Sequence, residues 1–283
     1  MSRVAIVIPI GGDIRHLDAQ IDALLPQVRG HEVVLSCNGI DPAAVATQVG
    51  RLREAGAVAS ALDSSAVRGP SHARNVGWRA VTAGRVLFCD ADDVVGPTWV
   101  AALTVALDEH GIVGGSLRFD DVNDAALART QDGTTTELAR KFGYLPFAPS
   151  CNLGVRRDLM ELLDGFDESL PTAEDTDLCW RAARAGYPIA FVPGASVSYR
   201  LRADVRSTFR QARAYARDDV RLLALHRDAG ARWSVRDDAR VLLSAAKAVL
   251  LAPAGRTQRL RAAERVGRAV GRVDAVRRGD AGH

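Results

Sequence analysis

Short β-branched runs alternate with longer helical patterns through the first hundred residues of the chain. Residues 4–8, 32–36, 57–61 and 85–89 read as strands, and the segments between them read as helices. Leu17, Ile21, Leu24 and Leu25 recur at helical spacing, as do Val45, Val49 and Leu52, so each crossover carries an apolar stripe able to cover a sheet. A third helix is expected to start near Ser71, a residue able to cap it, and to end at Gly84. This rhythm is that of βαβ units and predicts an α/β chain on a mostly parallel sheet. In such sheets the ligand crevice lies beyond the carboxyl ends of the strands. Residues 9–13, 37–39, 63–70 and 90–93 are therefore the segments to search for chemistry.

Further along, residues 114–143 are rich in Asp, Thr and Gly and read as a loop with one helix over 137–142. Its position suits a lid on the acceptor side of a site, and an inert surface insertion is the competing reading. Order returns at 147–155, followed by a helix over 157–163, a turn at Gly165 and a helix over 174–185 ended by Gly186 and Pro188. From Val205 the pattern is all helix, with Pro253-Ala254-Gly255 setting off a last basic segment. These boundaries give a domain over 1–203 and a basic helical extension over 204–283.

Composition changes the picture in three ways. With 283 residues, 47% hydrophobic and 25% charged, the chain is not a disordered tail, a collagen-like fibre or a disulfide miniprotein. The net charge of +3 hides an asymmetry: residues 200–283 hold 20 Lys/Arg against 9 Asp/Glu, a surplus of +11 that leaves −8 for the rest. A basic tail on an acidic body suits a lipid surface, a nucleic acid or an acidic partner. Finally, Cys37, Cys89, Cys151 and Cys179 are scattered and form no metal-binding spacing, which predicts buried thiols in a reducing compartment. The opening VAIVIPI is too short for a signal peptide, and 241–254 is too short to span a bilayer and carries Lys247 in its middle. The expected location is cytoplasmic, with peripheral attachment at the inner face of the membrane as an option.

Three local patterns carry chemistry. Cys89-Asp90-Ala91-Asp92-Asp93 packs three carboxylates into four residues after the apolar run RVLF. Such crowding is commonly relieved by a hard divalent cation, and Mg²⁺ or Mn²⁺ often shares carboxylates with substrate phosphates. The competing reading has Asp92 and Asp93 capping the next helix. Glu174-Asp175-Thr176-Asp177 opens a helix, where the macrodipole alone favours acids, yet a carboxylate beside an electrophile also makes a general base. Gly69-Pro70-Ser71-His72-Ala73-Arg74-Asn75 places Arg74 in the first turn of a helix, suited to an anionic ligand. His72 reads as a surface residue of that turn rather than a catalyst.

In this order the three patterns resemble the family 2 glycosyltransferases, inverting sugar transferases of the GT-A fold. The resemblance runs from about Val4 to Arg202 through VAIVIPIGGD, SHARNVGWRAVTAGRVLFCDADD and CNLGVRRDLMELLDGFDESLPTAEDTDLCWRAARAG. It implies a Rossmann-like, mostly parallel sheet flanked by helices, with a helical extension after it. It also implies a nucleotide-sugar donor and Mn²⁺ or Mg²⁺ held by Asp92 and Asp90, with Asp93 as the third acid of the motif. By the same resemblance Asp175 is the general base, Glu174 shapes the acceptor pocket, and Arg74 touches the donor. Pro9, Asn38 and Asp63 fall on loops that read the nucleotide, although Asp63 also fits an ordinary loop residue. The acceptor is a glycan, a lipid-linked sugar or a small molecule, in cell-envelope polysaccharide or glycoconjugate synthesis.

Two departures stand out. Asn38 occupies a place where many relatives have an acid for the nucleobase, and Val197-Ser198-Tyr199-Arg200 lacks the late histidine some relatives offer a metal. A nucleotidyltransferase is the alternative enzyme, but Gly11-Gly12-Asp13-Ile14-Arg15 is followed by no Pro-Lys pair. No GxGxxG follows the first strand, which argues against a dinucleotide oxidoreductase. A non-catalytic scaffold would keep the fold without needing the acids. In the tail, Leu260, Ala263, Val266, Val270 and Val273 form an apolar stripe among Arg256, Arg259, Arg261, Arg265, Arg268 and Arg272. That stripe lies on anionic lipid, or packs on the chain's own helices or on a second subunit of a homodimer. Without aromatic interleaving, nucleic acid is the poorest reading.

Overall fold

The computed structural model describes residues 3–131 and 133–277, so the ends of the expected segmentation, 1–2 and 278–283, lie outside the described residues. The alternation seen in the first hundred residues forms β1 (Ala5–Ile10), α1 (Leu17–Leu24), β2 (Glu32–Cys37), α2 (Ala46–Glu54), β3 (Val58–Asp63), α3 (Pro70–Ala80) and β4 (Arg85–Phe88). A two-residue strand, β5 (Val94–Val95), precedes α4 (Trp99–Glu109) and β6 (Ile112–Arg118). A single helical turn, α5 (Ala125–Ala128), and two short strands, β7 (Ala139–Arg140) and β8 (Pro146–Phe147), lead to β9 (Leu153–Arg156). Then follow α6 (Arg157–Leu162), α7 (Glu174–Arg184) and β10 (Ala190–Ser198), and finally α8 (Val205–His226), α9 (Val235–Leu251) and α10 (Arg256–Arg277).

The central sheet has the order β3-β2-β1-β4-β9-β6-β10-β5. Pairings among β1 to β4, and between β6 and β10, are parallel, while β9 is antiparallel to both β4 and β6. The alternation along β1 shows why both faces are covered. Ile6, Ile8 and Ile10 join α1, α2 and α4 in one core, whereas Ala5 and Val7 face Trp78 of α3, Met160 of α6 and Leu178 of α7 in the other. A parallel sheet buried on both sides is the α/β arrangement the sequence predicts.

Four local expectations are corrected. Ser71 is not the cap of α3: Gly69 stands at the N-cap with φ +139°, Pro70 fills the first turn, and the Ser71 hydroxyl donates to the Leu170 carbonyl at 3.2 Å. The helix also stops at Ala80, short of Gly84. Residues 114–118, read as the start of a loop, are the last five residues of β6. Gly114 and Gly115 are needed there for close approach, since a Cβ on Gly115 would sit 1.8 Å from the Ala195 carbonyl and one on Gly114 2.1 Å from the Ala148 methyl. The helix expected over 137–142 is absent, and the helical turn of this segment is α5, capped by Asp124.

The chain divides into two compact units, one of Met1–Val122, Thr134–Ala139 and Pro146–Arg200, the other of Asn123–Gly133, Arg140–Leu145 and Leu201–His283. The first contains the sheet. The second consists of α8, α9 and α10 with two pieces of the irregular middle segment, tied in by Asp124 to Arg256 at 2.7 Å and Lys141 to Asp219 at 2.8 Å. All four cysteines are free and buried. Among the described residues no helix is long and apolar enough to cross a membrane.

Candidate active site

Strand β4 delivers Asp90, Asp92 and Asp93 to its carboxyl end, because the apolar run that makes it a strand stops at Cys89. On the neighbouring α3, Arg74, the fifth residue of the helix, points inward and is 3% exposed. Its guanidinium donates to Asp90 Oδ1 at 2.7 Å and to Glu174 Oε1 at 2.8 Å, joining residues 100 positions apart. Arg74 is therefore the tie between the acidic motif after β4 and the acidic pair opening α7. Its Nε is buried without a partner. Burial disfavours the guanidinium charge, but Asp90 and Glu174 beside it prevail and hold it firmly protonated.

The acidic pair owes its position to an unusual backbone. Ala173, at the N-cap of α7, has φ +68°, a left-handed conformation that a β-carbon disfavours. This turn sends the two neighbouring carboxylates to different surroundings. Glu174 is 6% exposed against Arg74, and burial pushes its pKa up to about 7, with the Asp175 charge adding to the effect and Arg74 opposing it. Asp175 is partly exposed, and its carboxylate accepts from the Ser150 amide at 3.1 Å and the Thr176 amide at 2.6 Å. One oxygen anchored on each amide fixes the carboxylate's direction while leaving lone pairs available.

Asp90, Asp93 and Cys151 place one potential ligand atom each within 4.8 Å of one another. Asp93 is buried, and its Oδ2 has no hydrogen-bond partner. Burial, with Asp90 and Asp92 nearby, holds its pKa well above the carboxylate range. The Cys151 thiol is likewise pushed up by burial, so it stays protonated and is no ligand for a hard cation. A crowded set of carboxylates with an orphaned buried oxygen does fit a hard divalent ion. Asp92 is partly exposed beside this cluster, and its carbonyl accepts from Arg200 Nε at 2.9 Å.

Arg200 was not a candidate in the sequence, yet it organises the motif. Its backbone amide donates to Asp93 Oδ1 at 2.7 Å and its Nη1 to the Val122 carbonyl at 3.0 Å. It stands directly after β10, in the stretch that lacks a late histidine. Nothing in the local sequence signals contacts to residues more than a hundred positions away.

The other candidates lie at the ends of β1 to β3 with partners in their own loops. Pro9 is on β1 in register with Ser36. Asp63 ends β3 in register with Cys37, is exposed, and accepts from the Ser65 amide at 2.9 Å; the Ser65 side chain and amide together lower its pKa. The Asn38 amide nitrogen donates to the carbonyls of Ser64 and Val67, and its oxygen accepts from the Gly69 amide at 3.1 Å. Both ends of that side chain thus hold the loop between β3 and α3. His72 pairs with Glu168 at 2.8 Å.

Residues 2–217 match a family model described as glycosyltransferase like family 2. Over 173 residues the chain is 29% identical to the Pre-mycofactocin glycosyltransferase of Mycobacterium tuberculosis, covering 57% of this chain and 36% of that protein. The match thus spans little more than a third of that relative's length. Over 200 residues it is 24% identical to Glycosyltransferase AglE of Haloferax volcanii, covering 66% and 64%. Among solved structures, the mannosyltransferase PcManGT from Pyrobaculum calidifontis, in complex with GDP-Man and Mn²⁺, superposes with a TM-score of 0.66 at 18% identity, covering 96% of this chain and 86% of that one. S. aureus TarS 1-349 in complex with UDP superposes with a TM-score of 0.53 at 16% identity, covering 99% and 92%. The shared architecture is the GT-A fold.

Proposed function

We propose that this chain, which belongs to the glycosyltransferase-like family 2, moves a sugar from a nucleotide-sugar donor to an acceptor hydroxyl with inversion at the anomeric carbon. One observation carries the reading: buried Arg74 bonds Asp90 and Glu174 at once, which holds the acids after β4 beside the acids opening α7. An inverting transfer needs that juxtaposition of a diphosphate-binding side and a base side.

On the donor side, Asp90 and Asp92, with Asp93 buried next to them, are the residues that would hold Mn²⁺ or Mg²⁺. The chemistry a divalent ion supplies there is neutralisation of charge on the departing nucleoside diphosphate. Arg74 keeps Asp90 aimed and adds a fixed positive charge behind it. Asn38 sets the course of the β3–α3 loop, and Pro9 and Asp63 border the nucleotide.

On the acceptor side, Asp175 takes the proton of the attacking hydroxyl, since it is the partly exposed member of the pair and its direction is fixed by two backbone amides. Glu174 is committed to Arg74 and lines the acceptor pocket behind it. Direct displacement needs no covalent intermediate, so no serine or cysteine nucleophile is called for. We assign the transferase domain to 1–203 and an appended helical domain to 204–283.

The test is release of nucleoside diphosphate from a panel of nucleotide sugars, with and without Mn²⁺, followed by acceptor screening with the donor that binds. Asp175→Asn is expected to keep donor affinity and lose about 10²- to 10⁴-fold in turnover. Unchanged turnover in this variant overturns the base assignment. Release of inorganic diphosphate from a nucleoside triphosphate supplied with a sugar 1-phosphate would instead point to nucleotidyl transfer.

A further inference from the structure

The arginine-flanked stripe of α10 is turned inward at Leu260 and Ala263, half-buried at Val266 and Val270, and exposed at Val273. A Cβ on Gly267 or Gly271 would come within 2.6 Å of the Phe209 carbonyl or 2.2 Å of the Arg213 carbonyl. α10 therefore lies backbone to backbone against α8, and its small residues serve that packing.

Among the described residues, α9 carries the largest group of exposed apolar side chains on one helix. Val235, Leu243 and Leu250 are 85%, 70% and 81% exposed, and Leu242 and Val249 are exposed with them. At roughly 100° per residue these five positions share one arc about 120° wide. Ala245 and Ala248, on the opposite side, are the buried residues of this helix, which packs on α10. Arg236, Arg240 and Lys247 are all exposed, and the same geometry puts them together on one flank of the apolar arc. Arg240 is paired with Asp237 at 3.1 Å, whereas Arg236 and Lys247 have no ion pair among the described residues.

We propose that α9 is an interfacial helix that docks this chain onto an anionic lipid surface, its leucines entering the headgroup region and its basic flank meeting lipid phosphates. The inference goes beyond the transferase reading and stands without it. Three features select lipid as the occupant. The arc is leucine-rich on one convex helix, which suits a fluid apolar medium better than a shaped pocket. One flank is basic and complementary to anionic headgroups, and the acid at the opposite edge, Asp238, is paired with Arg272 at 2.6 Å. A second copy fits poorly: in an antiparallel two-fold pairing of α9 each flank meets itself, which sets Arg240 against the Lys247 of the other copy.

The experiment is co-sedimentation of the full chain with phosphatidylcholine vesicles, with and without phosphatidylglycerol. Binding is expected only to the anionic vesicles and should weaken with salt. The variant R236Q/R240Q/K247Q is expected to lower the partition coefficient about 100-fold, at about fivefold per basic residue. L242S/L243S/L250S should abolish binding with an unchanged far-ultraviolet circular dichroism spectrum. Because that triple variant disturbs a helix face, L250W provides an independent readout, with emission expected to shift to the blue on adding anionic vesicles only. The proposal is overturned if the full chain ignores anionic vesicles or if the L250W emission stays put. It is also overturned if R265Q/R268Q on α10 weakens binding as much as R236Q/K247Q, or if sedimentation equilibrium shows a dimer that L243S dissociates.

Discussion

Arg74→Met tests whether one guanidinium holds the two acidic motifs together. The side chain is replaced by one of similar length, so the loss is chiefly of charge and of the two bonds to Asp90 and Glu174. Removing one partner of a buried ion pair costs about 3–5 kcal/mol when the remaining charge has no relief. Here Glu174 has relief, because it can take up a proton. In the wild-type protein its pKa is already about 7 against an ordinary 4.5, so its contribution to stability is complete below 4.5 and is lost as pH rises toward 7. Arg74 pulls that pKa down, and without it the folded pKa moves above 7 and the loss continues to higher pH. The stability gap between wild type and variant is therefore smallest at acid pH and widens above neutrality by up to about 1.4 kcal/mol per pH unit. Urea unfolding in EDTA at three pH values from mildly acid to mildly alkaline measures it. A gap that stays constant, or that narrows as pH rises, refutes the tie as described.

Two further substitutions probe the scaffold around the site. Gly115→Ala places a methyl carbon 1.8 Å from the Ala195 carbonyl and 2.5 Å from Asn152 Nδ2, and should lower stability by about 3 kcal/mol, seen as a fall in Tm. A Tm within a degree or two of wild type would show that β6 and β10 can part there without cost. Asn38→Asp removes both amide donations to the Ser64 and Val67 carbonyls and sets carboxylate oxygens against them. A loss of about 1–2 kcal/mol and a weaker donor affinity are expected, read by denaturant unfolding and by titration with nucleotide sugars. Unchanged stability would free Asn38 from the loop-holding role.

The parts of the fold legible in the sequence are those whose signal is local. The unbroken apolar run of β1 and the 3-to-4-residue spacing of Leu17, Ile21 and Leu24 each report their own burial, and this strand and helix lie where these patterns place them. The acidic motifs could be found for the same reason, since crowded like charges are visible without a structure. What could not be read is what joins them. Arg74 looks like one arginine in a helix start, and only the closure of the sheet brings Glu174 to it. Gly114 and Gly115 misled in the opposite direction: glycine reads as a loop residue, whereas here the missing β-carbons make room for Ala148 and Ala195 inside a sheet. The tail shows the same limit. Its arginines drew attention to α10, but exposure is decided by which helix takes the inner place, and the leucines of α9 were left outside.

The place of β9 in the sheet has a consequence for how the chain is made. Strands β4 and β6 are completed by residue 118, yet the strand that fits between them spans residues 153–156. As the polypeptide leaves the ribosome, both edges must wait, unpaired and apolar, for the wedge that seals them. The Arg74 guanidinium waits longer still, with Asp90 as its early partner and Glu174 arriving a hundred residues after it. The amino-terminal half is thus no self-sufficient folding unit. Its burial is finished from downstream, and the two acidic motifs meet only once Glu174 has been made.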